Sequence, residues 1–152
     1  MDAVTYPHPD VAAYIEANFI PVKVYINHRG DWPLFRAHHV IWTPTIAFMD
    51  RNGALQHQSV GYLPAPEFLT TLRIGKARCL MAWTRLREAA GELETAAEAG
   101  DALAPEALYW LGITHFLERR NTAGMWEAWE RLQASYPDSI WARRIYPRDE
   151  GV

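Results

Sequence analysis

The chain has 152 residues, of which 49% are hydrophobic and 22% charged, with a formal net charge of −3 and one cysteine. That balance belongs to a globular chain with an ordinary core and excludes a disordered polyelectrolyte. The negative charge argues against a polyanion such as nucleic acid as partner. A lone thiol excludes an internal disulfide, a Cys-x-x-Cys pair and a cysteine zinc site. No apolar run reaches the ~20 residues of a membrane span.

The character of the chain changes near residue 73. Residues 1–72 hold 4 Lys/Arg, 6 Asp/Glu and five of the six histidines, and residues 73–152 hold 11 Lys/Arg, 12 Asp/Glu and five of the seven tryptophans. No Gly- or Ser-rich linker separates them, which predicts two packed units: 1–74, then a helical region over 75–147, with 148–152 as a disordered tail.

In the first unit, Val11, Ile15 and Phe19 share one helical face. Pro9 and Asp10 stand at its start, Asp10 as the cap, and Pro21 ends it. Pro21-Val-Lys-Val-Tyr-Ile26 alternates and is β-branched, which predicts a strand over 22–26. Asn27 to Gly30 is a turn, and Leu34 to His39 a short helix. Thr45 to Met49 reads as a buried strand. Asp50-Arg-Asn-Gly53 is a hairpin turn, Leu55 to Val60 the returning strand, and Pro66-Glu67 the opening of a helix.

This α-β-α-β-β-α order resembles the thioredoxin-like family. The words that carry the resemblance are Pro21-Val-Lys-Val, Trp42-Thr-Pro-Thr45, Asp50-x-x-Gly53 and Val60-Gly-Tyr-Leu63. The fold expected is therefore an α/β thioredoxin-like unit, incomplete, with three recognisable strands, followed by an all-α helical hairpin unit. The resemblance implies a cis proline at Thr43-Pro44 and a peptide-binding edge formed by Thr43 and Pro44; Trp42, just before them, reads either as the aromatic wall of a substrate groove or as a rigid packing residue that holds the loop. It also implies thiol–disulfide oxidoreductase lineage.

Family members of this sub-type carry a central strand and a Cys-x-x-Cys pair just ahead of a segment like Met1-Asp-Ala-Val-Thr-Tyr6, and neither is in this sequence. The dithiol cycle needs an attacking thiolate and a resolving thiol. The expectation is thus a chain that is redox-inactive as it stands, its start lying downstream of the true one. The alternative is a non-catalytic module that binds a peptide or protein at the cis-proline edge. Without the central strand, 22–26 and 45–49 must pair directly or take a strand from another molecule, so either a homodimer through sheet-edge pairing or an unusually labile chain is expected. The absence of a leader points to the cytoplasm; a leader lost with the N-terminus would place the protein in the periplasm.

In the second unit, Leu80, Trp83, Leu86, Ala90, Leu93 and Ala97 recur at helical spacing up to Gly100, with Gly91 as a possible break. Pro105-Glu106 opens another helix. Asn121 and Thr122 cap a third, with Met125, Trp129, Leu132 and Tyr136 along it. Pro105 to Pro137 resembles one tetratricopeptide repeat, through Ala107-Leu108-x-x-Leu111-Gly112, Phe116 and the closing Pro137. Such an extension is similar to the C-terminal part of certain bacterial thioredoxin-family proteins. The tryptophans here read as core, His38-His39 fails the spacing of a metal site, and Cys79 reads as an inert half-buried thiol. No cofactor is implied.

Overall fold

The computed structural model describes residues 1–147; the predicted tail 148–152 lies outside them. After a turn over the first residues, α1 runs Pro9–Asn18, with the proline at its first position. Proline's fixed φ suits that position, where its missing N–H costs nothing. Asp10 is not the cap, as the sequence had suggested. His8 holds that place without a side-chain bond, and Asp10 sits in the first turn, where its charge meets the positive end of the helix dipole.

The expected strand over 22–26 does not form. Residues 20–25 carry no regular secondary structure, and Ile20 and Val22 are 94% and 77% exposed. An alternating β-branched sequence supplies the propensity for a strand, but a strand exists only when a neighbour takes up its N–H and C=O groups. None does here. A 3-10 turn follows at Arg29–Asp31 and then α2, Trp32–Ala37. The helix starts two residues earlier than expected because Pro33 is accommodated in its first turn, and it stops short of His39, which has φ 52.

Two strands form the sheet: β1, Thr45–Met49, and β2, Leu55–Val60, antiparallel, with Thr45 opposite Val60 and Phe48 opposite His57. The turn between them is the one the sequence indicates. Asp50 Oδ1 accepts the N–H groups of Asn52 at 2.9 Å and Ala54 at 3.1 Å. Gly53 takes φ 78, a conformation glycine adopts without steric cost.

Four helices follow: α3, Ala65–Ala82; α4, Leu86–Glu98; α5, Ala104–Arg119; and α6, Ala123–Ser135. Each packs chiefly on its neighbours in sequence, and α3 also packs on α1 and the hairpin. The break expected at Gly91 lies instead at residues 83–85, where Thr84 has φ 56. α4 passes through Gly91 uninterrupted, since one exposed glycine costs a helix only about 1 kcal/mol.

There are two apolar clusters, and α3 belongs to both. Phe68 and Leu72 join Val11 and Phe48 in the first, while Ile74, Ala77 and Leu80 join α4, α5 and α6 in the second. Gly75 lies where they meet. A Cβ there would stand 2.3 Å from Cδ1 of Phe48, so the ring seats against bare backbone. In the second cluster the Tyr109 and Trp129 rings stack at 5.6 Å, and Trp129 Nε1 donates to the Tyr109 carbonyl at 3.1 Å. Gly112 opens the space for that indole: a Cβ would lie 2.5 Å from Trp129 Nε1.

Candidate functional site

The peptide bond between Thr43 and Pro44 is cis. Around it the backbone is tied to both strands. The Thr45 hydroxyl donates to the Trp42 carbonyl at 2.6 Å, and the Gly61 N–H donates to the Pro44 carbonyl at 2.9 Å. Trp42 itself is 67% exposed. Thr43 is also exposed, and neither its N–H nor its carbonyl has a hydrogen-bond partner among the described residues.

The register shows what β1 offers beyond β2. In an antiparallel ladder, directly opposed residues alternate between bonded and non-bonded pairs. Pro44/Gly61 is bonded, so by alternation Ile46/Ser59 and Phe48/His57 are bonded too. Thr45 and Ala47 therefore turn their N–H and C=O groups to the other edge, and no strand lies there among the described residues. Thr43, Thr45 and Ala47 thus form an open edge, each with one donor and one acceptor to give. Trp42, Thr43 and Pro44 stand together at one end of it.

Cys79 is not part of this place. It lies on α3 in a cleft of about 400 Å³ lined by Asn18, Met49, Asp50, Lys76 and Trp83. That is the far end of β1, five residues and about 17 Å from Pro44 at ~3.4 Å per residue. Burial pushes its thiol above the ordinary value, and the Asp50 charge adds to this. Little thiolate is present at neutral pH, and the thiolate is the reactive form. Among the described residues no three His, Cys, Asp or Glu side chains gather as metal ligands, and no helix is long and apolar enough to cross a membrane.

Two charged clusters are spread too widely along the sequence to be read from it. In one, Glu92 of α4 accepts from Tyr14 Oη at 2.6 Å, from Arg73 Nη1 at 3.0 Å and from Lys76 Nζ at 2.6 Å. Lys76 also donates to Asn18 Oδ1 at 2.6 Å, which fastens the end of α1 to α3. Burial works against the Glu92 charge, but the bonds from Lys76 and Tyr14 outweigh it and hold the carboxyl below its ordinary value. The only local signal was Arg73 and Lys76 three apart on one helix face.

The second cluster joins the hairpin to α5. His57 Nδ1 of β2 lies 3.9 Å from Glu106 Oε1, and the Arg78 guanidinium rests 3.5 Å above the Trp110 ring. Burial, with the Arg78 charge, lowers His57 to about 4. Burial raises Glu106, against opposing contributions from Trp110 and Arg78.

A hairpin with an open outer edge, backed by α1 and α3 and extended by helices, defines an α/β unit with a helical addition. The model of the thioredoxin-like domain family matches residues 1–76, half of the chain. The chain belongs to the thioredoxin-like family. Neither the curated proteins nor the solved structures compared with it include one that matches.

Proposed function

We propose that these residues work as a peptide- or protein-binding module on a thioredoxin-like scaffold, with an extended strand as ligand and no dithiol turnover. The observation that carries the reading is the open edge of β1. Thr43, Thr45 and Ala47 offer alternating donors and acceptors, and Trp42 stands exposed beside them. Addition of a strand to such an edge derives affinity from main-chain bonds and specificity from the flanking side chains. Trp42 is the aromatic wall, and Thr43 and Pro44 set the end of the groove. The partner is a protein or peptide. Pairing of two β1 edges from two copies is the self-associated form of the same chemistry. The helices after residue 74, with α5 and α6 related to one tetratricopeptide repeat, form the second unit and steady the hairpin from behind.

A second reading keeps the oxidoreductase chemistry of the lineage. The same edge then holds a disulfide substrate, and the dithiol is supplied from outside these 152 residues. The family membership of residues 1–76 favours it. Sequencing the gene upstream of Met1 for an in-frame Cys-x-x-Cys separates the two.

The test of the binding reading uses a fluorescent peptide of alternating Val and Thr, followed by anisotropy. Binding is expected, and Ala47→Pro abolishes it while the far-ultraviolet circular dichroism stays unchanged. The substitution removes an outward N–H, and proline is tolerated on an edge strand. Insulin reduction by the chain stays at background. Binding that persists in Ala47→Pro, or no binding by the parent chain, refutes the reading.

A further inference from the structure

We infer that the strand this edge selects is apolar at its centre and acidic at its flanks. The inference rests on the binding reading above and names the partner's chemistry. The segment leading into β1 is unlike the rest of the chain. Between Glu16 and Asp50 the sequence holds Lys23, Arg29 and Arg36 against a single carboxylate, Asp31. Residues 17–49 therefore carry +2 of a chain whose total is −3, leaving −5 on the remainder.

The structure decides which of these charges are free. Lys23 Nζ pairs with Asp2 at 2.8 Å, and Asp31 is engaged by His28 at 3.2 Å. Arg29 and Arg36 are exposed, and neither has an ion-pair or hydrogen-bond partner among the described residues. Both lie on an arm, residues 20–43, that starts where Phe19 packs against Phe48 and ends where Pro44 enters β1. Its helix, α2, packs substantially only on the adjoining 3-10 turn. Ile20, Val22, Tyr25, Ile26 and Ile41 on the same arm are each at least half exposed.

A cationic arm with exposed aliphatic side chains, anchored at one end on the buried Phe48 ring and leading at the other into the open edge at Pro44, complements a ligand of matching kind. Aliphatic surface pairs with aliphatic side chains, and although Tyr25, Trp32 and Trp42 on the arm offer rings to a base, the chain's net charge of −3 favours a peptide over a nucleic acid. Two free guanidiniums favour carboxylates near the ends of that peptide, since charge complementarity governs partner choice and encounter rate.

Three labelled peptides with one alternating Val/Thr centre and Glu, Gln or Lys flanks test this on the full chain. At low salt the Glu peptide binds about tenfold more tightly than the Lys peptide, the effect of two exposed ion pairs. The preference shrinks severalfold as ionic strength rises and the Debye length shortens. In the double variant Arg29→Glu/Arg36→Glu the order reverses, and the Gln peptide binds as before. Equal binding of the three peptides at low salt, or tighter binding of a poly-dT oligonucleotide than of the Glu peptide, overturns the inference while strand binding stands. If no peptide binds, both readings fall.

Discussion

Substituting alanine for glycine at two positions isolates the contact on which the junction of the two apolar clusters depends. Gly75 and Gly91 both lie inside helices, so Gly→Ala favours each by about 1 kcal/mol through backbone entropy alone. Their surroundings differ. At Gly91 a Cβ meets nothing within 4 Å, whereas at Gly75 it would stand 2.3 Å from the Phe48 ring. Carbon atoms settle near 3.5–4.0 Å, so α3 or the ring has to yield by more than about 1 Å. Phe48 is hemmed in by Phe19 and His57, at ring distances of 5.7 and 5.6 Å. Overpacking of this kind typically costs about 1–3 kcal/mol and sometimes more. Gly91→Ala is therefore expected to stabilise by about 0.5–1 kcal/mol, and Gly75→Ala to destabilise by about 1–3 kcal/mol. At roughly 2–4 °C per kcal/mol for a chain this long, the two variants differ by about 5–15 °C in Tm. Urea titration and thermal melts followed by circular dichroism measure this. Adding Phe48→Leu to Gly75→Ala recovers part of the loss if the ring is the obstacle, a coupling a double-mutant cycle reads directly. Equal shifts in the two single variants, or no recovery, would show that the close approach of α3 to Phe48 is not real.

Three further outcomes follow from the buried charges and the thiol. His57 titrates near 4 when folded and near 6.5 when not, so between those values the unfolded chain binds more protons and stability falls as pH is lowered. The gap corresponds to a ceiling of about 3 kcal/mol. His57→Gln flattens the acid limb of the stability profile between pH 6.5 and 4, where Glu106, whose raised value removes stability as pH rises, works in the opposite sense and the lowered carboxyl of Glu92 adds a loss at the acid end; an unchanged profile contradicts the burial of the imidazole. Glu92→Gln leaves Lys76, Arg73 and Tyr14 without their common acceptor. Both cations are about a quarter exposed (27% and 25%), so water replaces part of the loss; the expected cost is about 1–3 kcal/mol by urea titration, and none would mean the network is cosmetic. Cys79 reacts with a chromogenic disulfide at pH 7 several-fold more slowly in the native chain than in urea, and equal rates would place its thiol in solvent.

Much of the fold could be read from local chemistry. The Asp50 to Gly53 turn is specified by residues that both bend the chain and bond it, and Pro9, Pro33 and Pro105 fall in first turns where proline is welcome. The Trp42 to Thr45 words located the loop at the end of β1. What failed was whatever depends on a partner distant in the chain. Residues 22–26 have every local mark of a strand, yet strand formation is a property of pairs. The end of α3 at Ala82 carries no proline or glycine, and the next glycine along the chain, Gly91, is harmless. The free N–H and C=O of Thr43 follow from register, which only the pairing of β1 with β2 fixes. The Glu92 and Glu106 clusters unite side chains from three or more elements, and no spacing along one helix announces them.

α3 has a consequence for how this protein can be divided. The match to the thioredoxin-like domain ends at residue 76, inside α3, six residues before its last turn closes at Ala82. A cut there would sever a helix whose early residues belong to one apolar cluster and whose later ones belong to the other. The halves are thus not cassettes that recombination can exchange at a loop. Inheritance of the hairpin carries with it the first wall of the helical region, and damage to either side is felt by both.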